Sequence, residues 1–201
     1  LESLRADAGT PVKGAEAFAA TVAGTVMPRE IYTQALAAWI EDLATRRNTS
    51  ETADRRRLMV LGSISDDIDL IQMIEEDDRV VVAAENLCFG IRHAGHAIDT
   101  QGDPVEALAR GYLDRSICPR MFGRYRQRLA AVLDVIARAR IDAVVLQNIR
   151  FCDLHGSENS LLERDLEARG IPCLKIEREY GPLVEKGRIR MRLDAFLERI
   201  A

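Results

Sequence analysis

The chain has 201 residues, with 28 lysines and arginines against 32 acidic residues and a formal net charge of −4. This mild acidity argues against a nucleic-acid-binding protein, which is usually basic, and the 47% of hydrophobic residues argues against intrinsic disorder. No apolar run approaches the roughly 20 residues of a membrane-spanning helix. Because the chain begins at Leu1 without a basic and apolar leader, we expect an excised or processed piece and not a secretory precursor.

Residues 1–54 are Ala-rich and predict helices. One short helix is predicted over 15–22, and a second begins at Pro28, where the missing N–H is no loss. Apolar residues recur about every 3.6 positions along the second helix, and we interpret its Trp39 as a packing residue. The polar stretch 46–54 predicts a boundary, so residues 1–54 are interpreted as a helical N-terminal segment or linker.

From residue 55 onward, short apolar runs alternate with helix-like segments. Four runs predict buried strands: 58–61, 80–84, 142–146 and 171–176. Helices are predicted between and after them: 66–75, 104–113, 123–140, 157–169 and 187–200. Such alternation is typical of a parallel sheet covered by helices on both faces. We therefore predict that residues 55–201 form an α/β domain of the Rossmann or flavodoxin-like class, with a four-stranded parallel sheet.

Parallel sheets of this kind bind ligands beyond the carboxyl ends of their strands, where the strand order switches. Gly62-Ser63 follows the first strand, but no glycine-rich nucleotide motif surrounds it. Cys88 follows the second strand and Cys152 the third, whereas Cys173 falls inside the fourth and is predicted to be a core residue. The spacing of the cysteines predicts reduced thiols, not a disulfide framework or a zinc site.

The segment 150–157 carries the strongest chemical signal. It runs from the third strand into a predicted helix that we expect Ser157 to cap. Amides at a helix N-terminus favour a thiolate, so Cys152 is a candidate nucleophile or soft-metal ligand. As a nucleophile it needs a general base, for which His155 is the candidate, and as an iron–sulfur ligand it needs further ligands. An unreactive loop thiol is the third possibility.

Several motifs occur in the order typical of one enzyme family. They are Glu85-Asn86-Leu87-Cys88, Cys118-Pro119-Arg120, the segment 150–157 with its continuation to Glu167, Gly170-Ile171-Pro172, Glu177-Arg178-Glu179-Tyr180-Gly181 and the stretch 187–198. On these motifs, residues 55–201 resemble the C-terminal half of the 2-hydroxyacyl-CoA dehydratase and benzoyl-CoA reductase family. The combination of 153–156 with 177–181 resembles the benzoyl-CoA reductase branch more closely.

The resemblance implies a subunit of two α/β domains that hold a [4Fe–4S] cluster between them, from which low-potential electrons pass to a CoA-thioester substrate. It implies that Cys152 is the cluster ligand from this domain and that the other ligands belong to an upstream α/β domain, which is missing here. Cys88 and Cys118 match family positions and are secondary candidates for iron ligands. His155 is a secondary candidate for a catalytic residue.

Three further groups are candidates for smaller roles. The amides of Gly156 and Ser157 are candidates to stabilise negative charge on a thioester. His93 and His96 have the spacing of a metal pair, but no third ligand is suitably placed in the sequence, so we expect core or solvated histidines. Two basic clusters are candidates for CoA phosphates: Arg110, Arg115, Arg120, Arg124, Arg126 and Arg128, and Lys186, Arg188, Arg190 and Arg192.

Three functions remain open. The first is a benzoyl-CoA reductase-like iron–sulfur subunit, with an (R)-2-hydroxyacyl-CoA dehydratase subunit that works through a ketyl radical as its alternative. The second is a non-catalytic binding or assembly module, and the third is an enzyme with Cys152 as nucleophile and His155 as base. For the first, the resemblance implies a homologous second subunit, an ATP-dependent electron-donor protein, an acyl- or aryl-CoA substrate and a cytoplasmic location. The chain alone is then expected to be inactive.

Overall fold

The structure is a computed structural model and describes residues 1–7, 9, 11–46, 54–88, 98–114, 118–120 and 123–200. The strands are β1 (Arg56–Gly62), β2 (Val80–Asn86), β3 (Ala143–Ile149) and β4 (Cys173–Arg178). The helices in these ranges are α1 (Glu2–Ala6), α2 (Gly14–Val26), α3 (Arg29–Thr45), α4 (Asp69–Glu75), α5 (Pro104–Asp114), α6 (Tyr125–Ala139), α7 (Asp153–Glu167) and α8 (Lys186–Ile200). His93, His96 and most of the predicted polar boundary, 47–53, lie outside the described residues.

The four strands pair in parallel in the order β2-β1-β3-β4, which confirms the predicted sheet. Side chains alternate between the two faces. Leu58 and Val60 of β1 pack with α2, α4 and α8 on one face. Met59 and Leu61 pack with α6 and α7 on the other. Because β1, β2 and β3 are buried on both faces, they contain continuous apolar runs, and these runs made them predictable from the sequence.

The strand order reverses at β1, since β2 lies on one side of it and β3 and β4 on the other. A parallel sheet of this order has its ligand crevice where the two directions part, beyond the carboxyl ends of β1 and β3. Gly62 ends β1 at this crevice, and the segment that begins at Arg150 leaves β3 beside it. None of the helices in the described ranges combines the length and apolar character that a membrane crossing needs.

The N-terminal helices pack directly against the sheet. Phe18 of α2 is fully buried in the same core cluster as the strands. Gly14 lies so close to β2 that a Cβ there would be 2.4 Å from the carbonyl oxygen of Val82. The buried Glu75 carboxylate accepts hydrogen bonds from the N–H groups of Gly14 (2.7 Å), Ala15 (3.1 Å) and Val82 (3.0 Å). These contacts join α2, α4 and β2 into one packed unit.

The helix α3 is less buried than its predicted apolar face suggests. Leu43 is fully buried, and Trp39 packs partly against the small cluster around it, which confirms the packing role predicted for Trp39. Ile31, predicted on the same face, is 56% exposed. The apolar residues at the start of α3 therefore do not pack into a core within the described part of the chain.

A fully buried ion pair joins α1 to β2. Arg5 Nη1 lies 2.6 Å from Glu85 Oε2, and both side chains are 1% exposed. Arg5 also donates through Nη2 to the carbonyl of Val82 (3.1 Å), and its own carbonyl accepts from Arg57 Nη2. Burial raises the pKa of Glu85, and the attraction of Arg5 opposes this rise. The pair therefore anchors α1, but each charge depends on the other.

We expect Arg5→Leu to lower the free energy of unfolding by about 3–5 kcal/mol near neutral pH, because Glu85 is then buried without a counter-charge. A carboxyl group whose pKa rises on folding favours the folded state below its unfolded pKa and loses that contribution as the pH rises through its folded pKa. The loss is therefore smaller at about pH 5 than at about pH 8. Urea denaturation at both pH values measures it. The matched control is the double variant Arg5→Leu/Glu85→Leu, which should recover most of the stability because no charge stays buried. Equal losses of unfolding free energy in the single and double variants would show that the buried charge of Glu85 is not the cause.

Candidate functional site

At the base of the crevice, the backbones of β1 and β3 are in direct contact. Gly62 has a φ of +142°, and a Cβ at this position would lie 1.8 Å from the carbonyl oxygen of Gln147, so only glycine fits. Ser63 N donates to the same carbonyl (3.3 Å), and Ser63 Oγ accepts from the N–H of Ile149 (2.8 Å). These contacts fix the point at which the chain leaves β3.

Two buried polar side chains extend this contact to β4. Arg178 Nε donates to Gln147 Oε1 (3.1 Å), Gln147 Nε2 donates to the carbonyl of Ser63, and Arg178 Nη2 donates to that of Ile64 (3.3 Å). Gln147 is fully buried and Arg178 nearly so. Burial lowers the pKa of Arg178, and the carboxylates in the loop after β1 oppose this shift. The carboxyl ends of β1, β3 and β4 are thus tied into one frame.

The chain leaves β3 in a tight turn that presents Cys152. Cys152 N donates to the carbonyl of Ile149 (2.9 Å), and Phe151, the third residue of the turn, has a φ of +66°. Arg150 N donates to the carbonyl of Arg178 (2.7 Å), which holds the turn against β4. The backbone of the turn is therefore fixed from both sides.

Cys152 is the N-cap of α7 and is half-buried. The first hydrogen bond of the helix runs from Gly156 N to Cys152 O (2.8 Å). The prediction that Ser157 caps the helix is wrong: α7 starts at Asp153, directly after the turn, and the Ser157 hydroxyl donates to Asp153 O (2.7 Å) in the second turn. Gly156 and Ser157 therefore use their amides inside the helix. The amides without intrahelical acceptors are those of the first turn, such as Asp153 and Leu154.

An open depression at this edge of the sheet is lined by Cys152, Phe151 and Arg150, among others. The guanidinium of Arg150 is not a lone positive charge there. Its Nε lies 3.1 Å from Glu177 Oε1, and its Nη1 lies 2.5 Å from Glu179 Oε1. The depression therefore has a thiol, the N-terminal end of a helix and an arginine that is paired with glutamates in its lining.

His155 points to the other side of α7. Its side chain is buried, and Nε2 lies 3.9 Å from Cys88 Sγ. Both His155 and Asn86 line a small cavity under this side of the helix, and neither is in the lining of the depression at Cys152. The structure thus brings His155 to Cys88, and it gives no support to a Cys152–His155 nucleophile and base.

A buried ion pair supports the same cavity. Arg128 Nε donates to both carboxylate oxygens of Glu158, at 2.8 and 2.9 Å. Arg128 Nη1 donates to the carbonyl of Cys118 (3.3 Å), which places half-buried Cys118 next to this cavity and not in the lining of the depression. This pair was not predicted, because Glu158 lies 30 residues from Arg128 in the sequence and no local pattern marks it.

Most of the predicted phosphate-binding cations have partners inside the chain. Arg128 is bound to Glu158, and Arg110 pairs with Glu106. Arg115 lies outside the described residues, and Arg120, Arg124 and Arg126 are exposed. The second cluster is tied to carboxylates or carbonyls: Lys186 to Asp69, Arg188 to Glu185, Arg190 to Glu76 and Asp194, and Arg192 to the carbonyl of Lys175.

The described residues contain no group of three or more His, Cys, Asp or Glu side chains placed to hold a metal ion. Cys173 lies in β4 and is 5% exposed, which confirms its predicted place in the core. Burial raises the pKa of the Cys173 thiol to about 12, and Glu167 and Glu163 add to this rise. Cys152 is thus the predicted ligand that faces an open depression.

Comparison with known proteins identifies the family. The family model of 2-hydroxyglutaryl-CoA dehydratase, D-component, matches residues 1–200. The chain belongs to this family. The match includes α1 to α3 and so extends beyond residues 55–201, on which the resemblance was based.

The chain is also similar to the beta subunit of (R)-phenyllactyl-CoA dehydratase from Clostridium sporogenes, with 21% identity over 145 residues. The aligned part is 72% of this chain and 38% of that subunit, so the chain spans well under half of its relative. The family expected from the motifs is confirmed. Both comparisons support the dehydratase alternative, and neither confirms a closer relation to the benzoyl-CoA reductases.

We expect Ser63→Ala to lower the free energy of unfolding by about 1–3 kcal/mol, because the buried N–H of Ile149 loses its acceptor. The matched control is Ser65→Ala, which removes a hydroxyl that bonds to the carbonyl of Asp67 and not to β3. Hydrogen exchange at the Ile149 amide should accelerate in Ser63→Ala and stay unchanged in Ser65→Ala. Equal exchange rates in the two variants would mean that Ser63 does not fix the end of β3.

Proposed function

We propose that the chain is part of an (R)-2-hydroxyacyl-CoA dehydratase subunit, in which Cys152 supplies one thiolate ligand of a [4Fe–4S] cluster. The observation that carries the proposal is the position of Cys152. In a member of the 2-hydroxyglutaryl-CoA dehydratase family, it is a half-buried thiol at the crevice where the strand order switches. Cys152 is the N-cap of α7 and lines the open depression at that crevice.

The donor chemistry fits one cluster ligand and no more. Thiolates are the ligands that iron–sulfur clusters take, and a cluster needs about four of them. Because the described residues hold no further set of ligands around Cys152, the remaining thiolates must come from elsewhere in the assembly. When bound, the cluster supplies a low-potential electron to a CoA-thioester substrate. The chain alone is then an incomplete enzyme.

The residues around Cys152 orient its sulfur and control the charge beside it. The turn after β3 and the frame of Ser63, Gln147 and Arg178 fix the backbone on both sides of the thiol. The ion pairs of Arg150 with Glu177 and Glu179 limit the net positive charge near the sulfur. Less positive charge and less solvent around a cluster lower its reduction potential, which is the direction that electron transfer to a thioester requires.

The partners of the chain are part of the proposal. The similar protein from Clostridium sporogenes is named as a beta subunit, which supports a homologous second subunit for this chain as well. We further propose an ATP-dependent electron-donor protein and an acyl-CoA substrate, in a cytoplasmic enzyme. Since most cations of the two basic clusters are already paired, we expect the CoA phosphates to be bound by other parts of the assembly.

The test is the content of iron and acid-labile sulfide in the anaerobically isolated assembly, with Cys152→Ser as the variant. We expect about four irons per cluster in the parent and loss of most of them in Cys152→Ser, because one ligand is removed. Cys88→Ser is the matched control, since Cys88 faces His155, and should keep its iron. Iron that is unchanged in Cys152→Ser, or lost only in Cys88→Ser, would contradict the proposal.

Activity assays then separate the two enzyme classes within the family. A dehydratase releases water from a 2-hydroxyacyl-CoA, and this activity should fall with the iron content of Cys152→Ser. A benzoyl-CoA reductase-like enzyme would instead dearomatise an aryl-CoA in the presence of a strong reductant. Dearomatisation without dehydration would overturn the dehydratase assignment and leave the role of Cys152 in place.

A further inference from the structure

Phe151 combines two unfavourable features. Its φ of +66° lies in the left-handed region, which is costly for any residue with a Cβ. Its side chain is 91% exposed, so hardly any of the ring contacts the rest of the described chain. Burial inside this chain therefore does not offset the conformational cost.

The turn itself would accept glycine at this position. Cys152 N donates to the carbonyl of Ile149, which makes Phe151 the third residue of a four-residue turn, where a positive φ ordinarily selects glycine. Glycine would remove both the strain and an exposed aromatic ring. The sequence instead has a phenylalanine, 91% exposed, immediately before the candidate ligand and in the lining of the same depression as Cys152.

We propose that the ring of Phe151 forms an apolar wall of the cofactor site at Cys152, which keeps water away from the sulfur and from the iron bound to it. This inference rests on the proposed function. An apolar shell around a metal site limits solvent access and thereby sets how easily the metal is reduced or lost. A wall of this kind has no partner until the site is filled, which accounts for a ring that is exposed in the chain alone.

A second strained residue provides a matched control. Arg140 has a φ of +51° and ends α6, and its guanidinium donates to the carbonyl of Ala6 (3.0 Å). Arg140 therefore has a contact inside the chain, and it is not in the lining of the depression. Replacing Arg140 by glycine removes strain of the same kind without changing the surroundings of Cys152.

The experiment compares Phe151→Gly, Phe151→Leu and Arg140→Gly. In the metal-free protein, Phe151→Gly should raise the melting temperature by about 2–4 °C, because the strain is relieved and no buried contact is lost. In the anaerobically isolated holoprotein, Phe151→Gly should bind iron like the parent but lose it several-fold faster in air, with a higher midpoint potential. Phe151→Leu keeps an apolar side chain and should stay near the parent, as should Arg140→Gly.

The outcomes separate this inference from the proposed function. If Phe151→Gly loses iron at the parental rate and has the parental midpoint potential, Phe151 does not form a wall of the site. The role of Cys152 would be unaffected by that result. A parent without iron would overturn both. A lower melting temperature of metal-free Phe151→Gly would show that the ring packs inside the chain, and a defect confined to subunit association would show that it is a docking residue; either result overturns the wall.

Discussion

Ser63 and Gln147 exchange hydrogen bonds across the carboxyl ends of β1 and β3, and Arg178 joins them from β4. The contact between β1 and β3 is so close that Gly62 has no room for a side chain. A buried network of this kind is rigid because each polar group is a hydrogen-bond partner of another. Moving one group would leave its partner buried without a hydrogen bond, which is costly. The position of the turn after β3, and hence of the Cys152 backbone, follows from this frame.

Cys152 and His155 are close in sequence but lie in different environments on two sides of α7. Cys152 faces an open depression, whereas His155, three residues later, lies in the interior against Cys88 and a buried Arg128–Glu158 pair. The thiol is therefore in the lining of an open surface, whereas the histidine is packed in the interior. This separation also explains why Cys88, after β2, and Cys152, after β3, have different surroundings.

The fold was predictable because β1, β2 and β3 are buried on both faces and therefore contain unbroken apolar runs. The place of Cys152 beyond β3 follows from that assignment alone. The start of α7 was not predictable, because its cap is a thiol and its first turn contains Gly156, so the pattern favoured Ser157. The strain at Phe151 was not predictable for a related reason. A turn residue with a positive φ is normally a glycine, and Phe151 is not. The pairing of Arg128 with Glu158 depends on tertiary contact and leaves no trace in local spacing.

The most direct test of the account is to map which thiols are protected in the holoprotein. The anaerobically isolated assembly and its chelator-treated form would be alkylated, and each cysteine would be quantified by peptide mass spectrometry. We expect Cys152 to be protected in the holoprotein and alkylated once the iron is removed, whereas buried Cys173 stays unmodified in both forms. Equal alkylation of Cys152 with and without iron would show that its sulfur is not a cluster ligand.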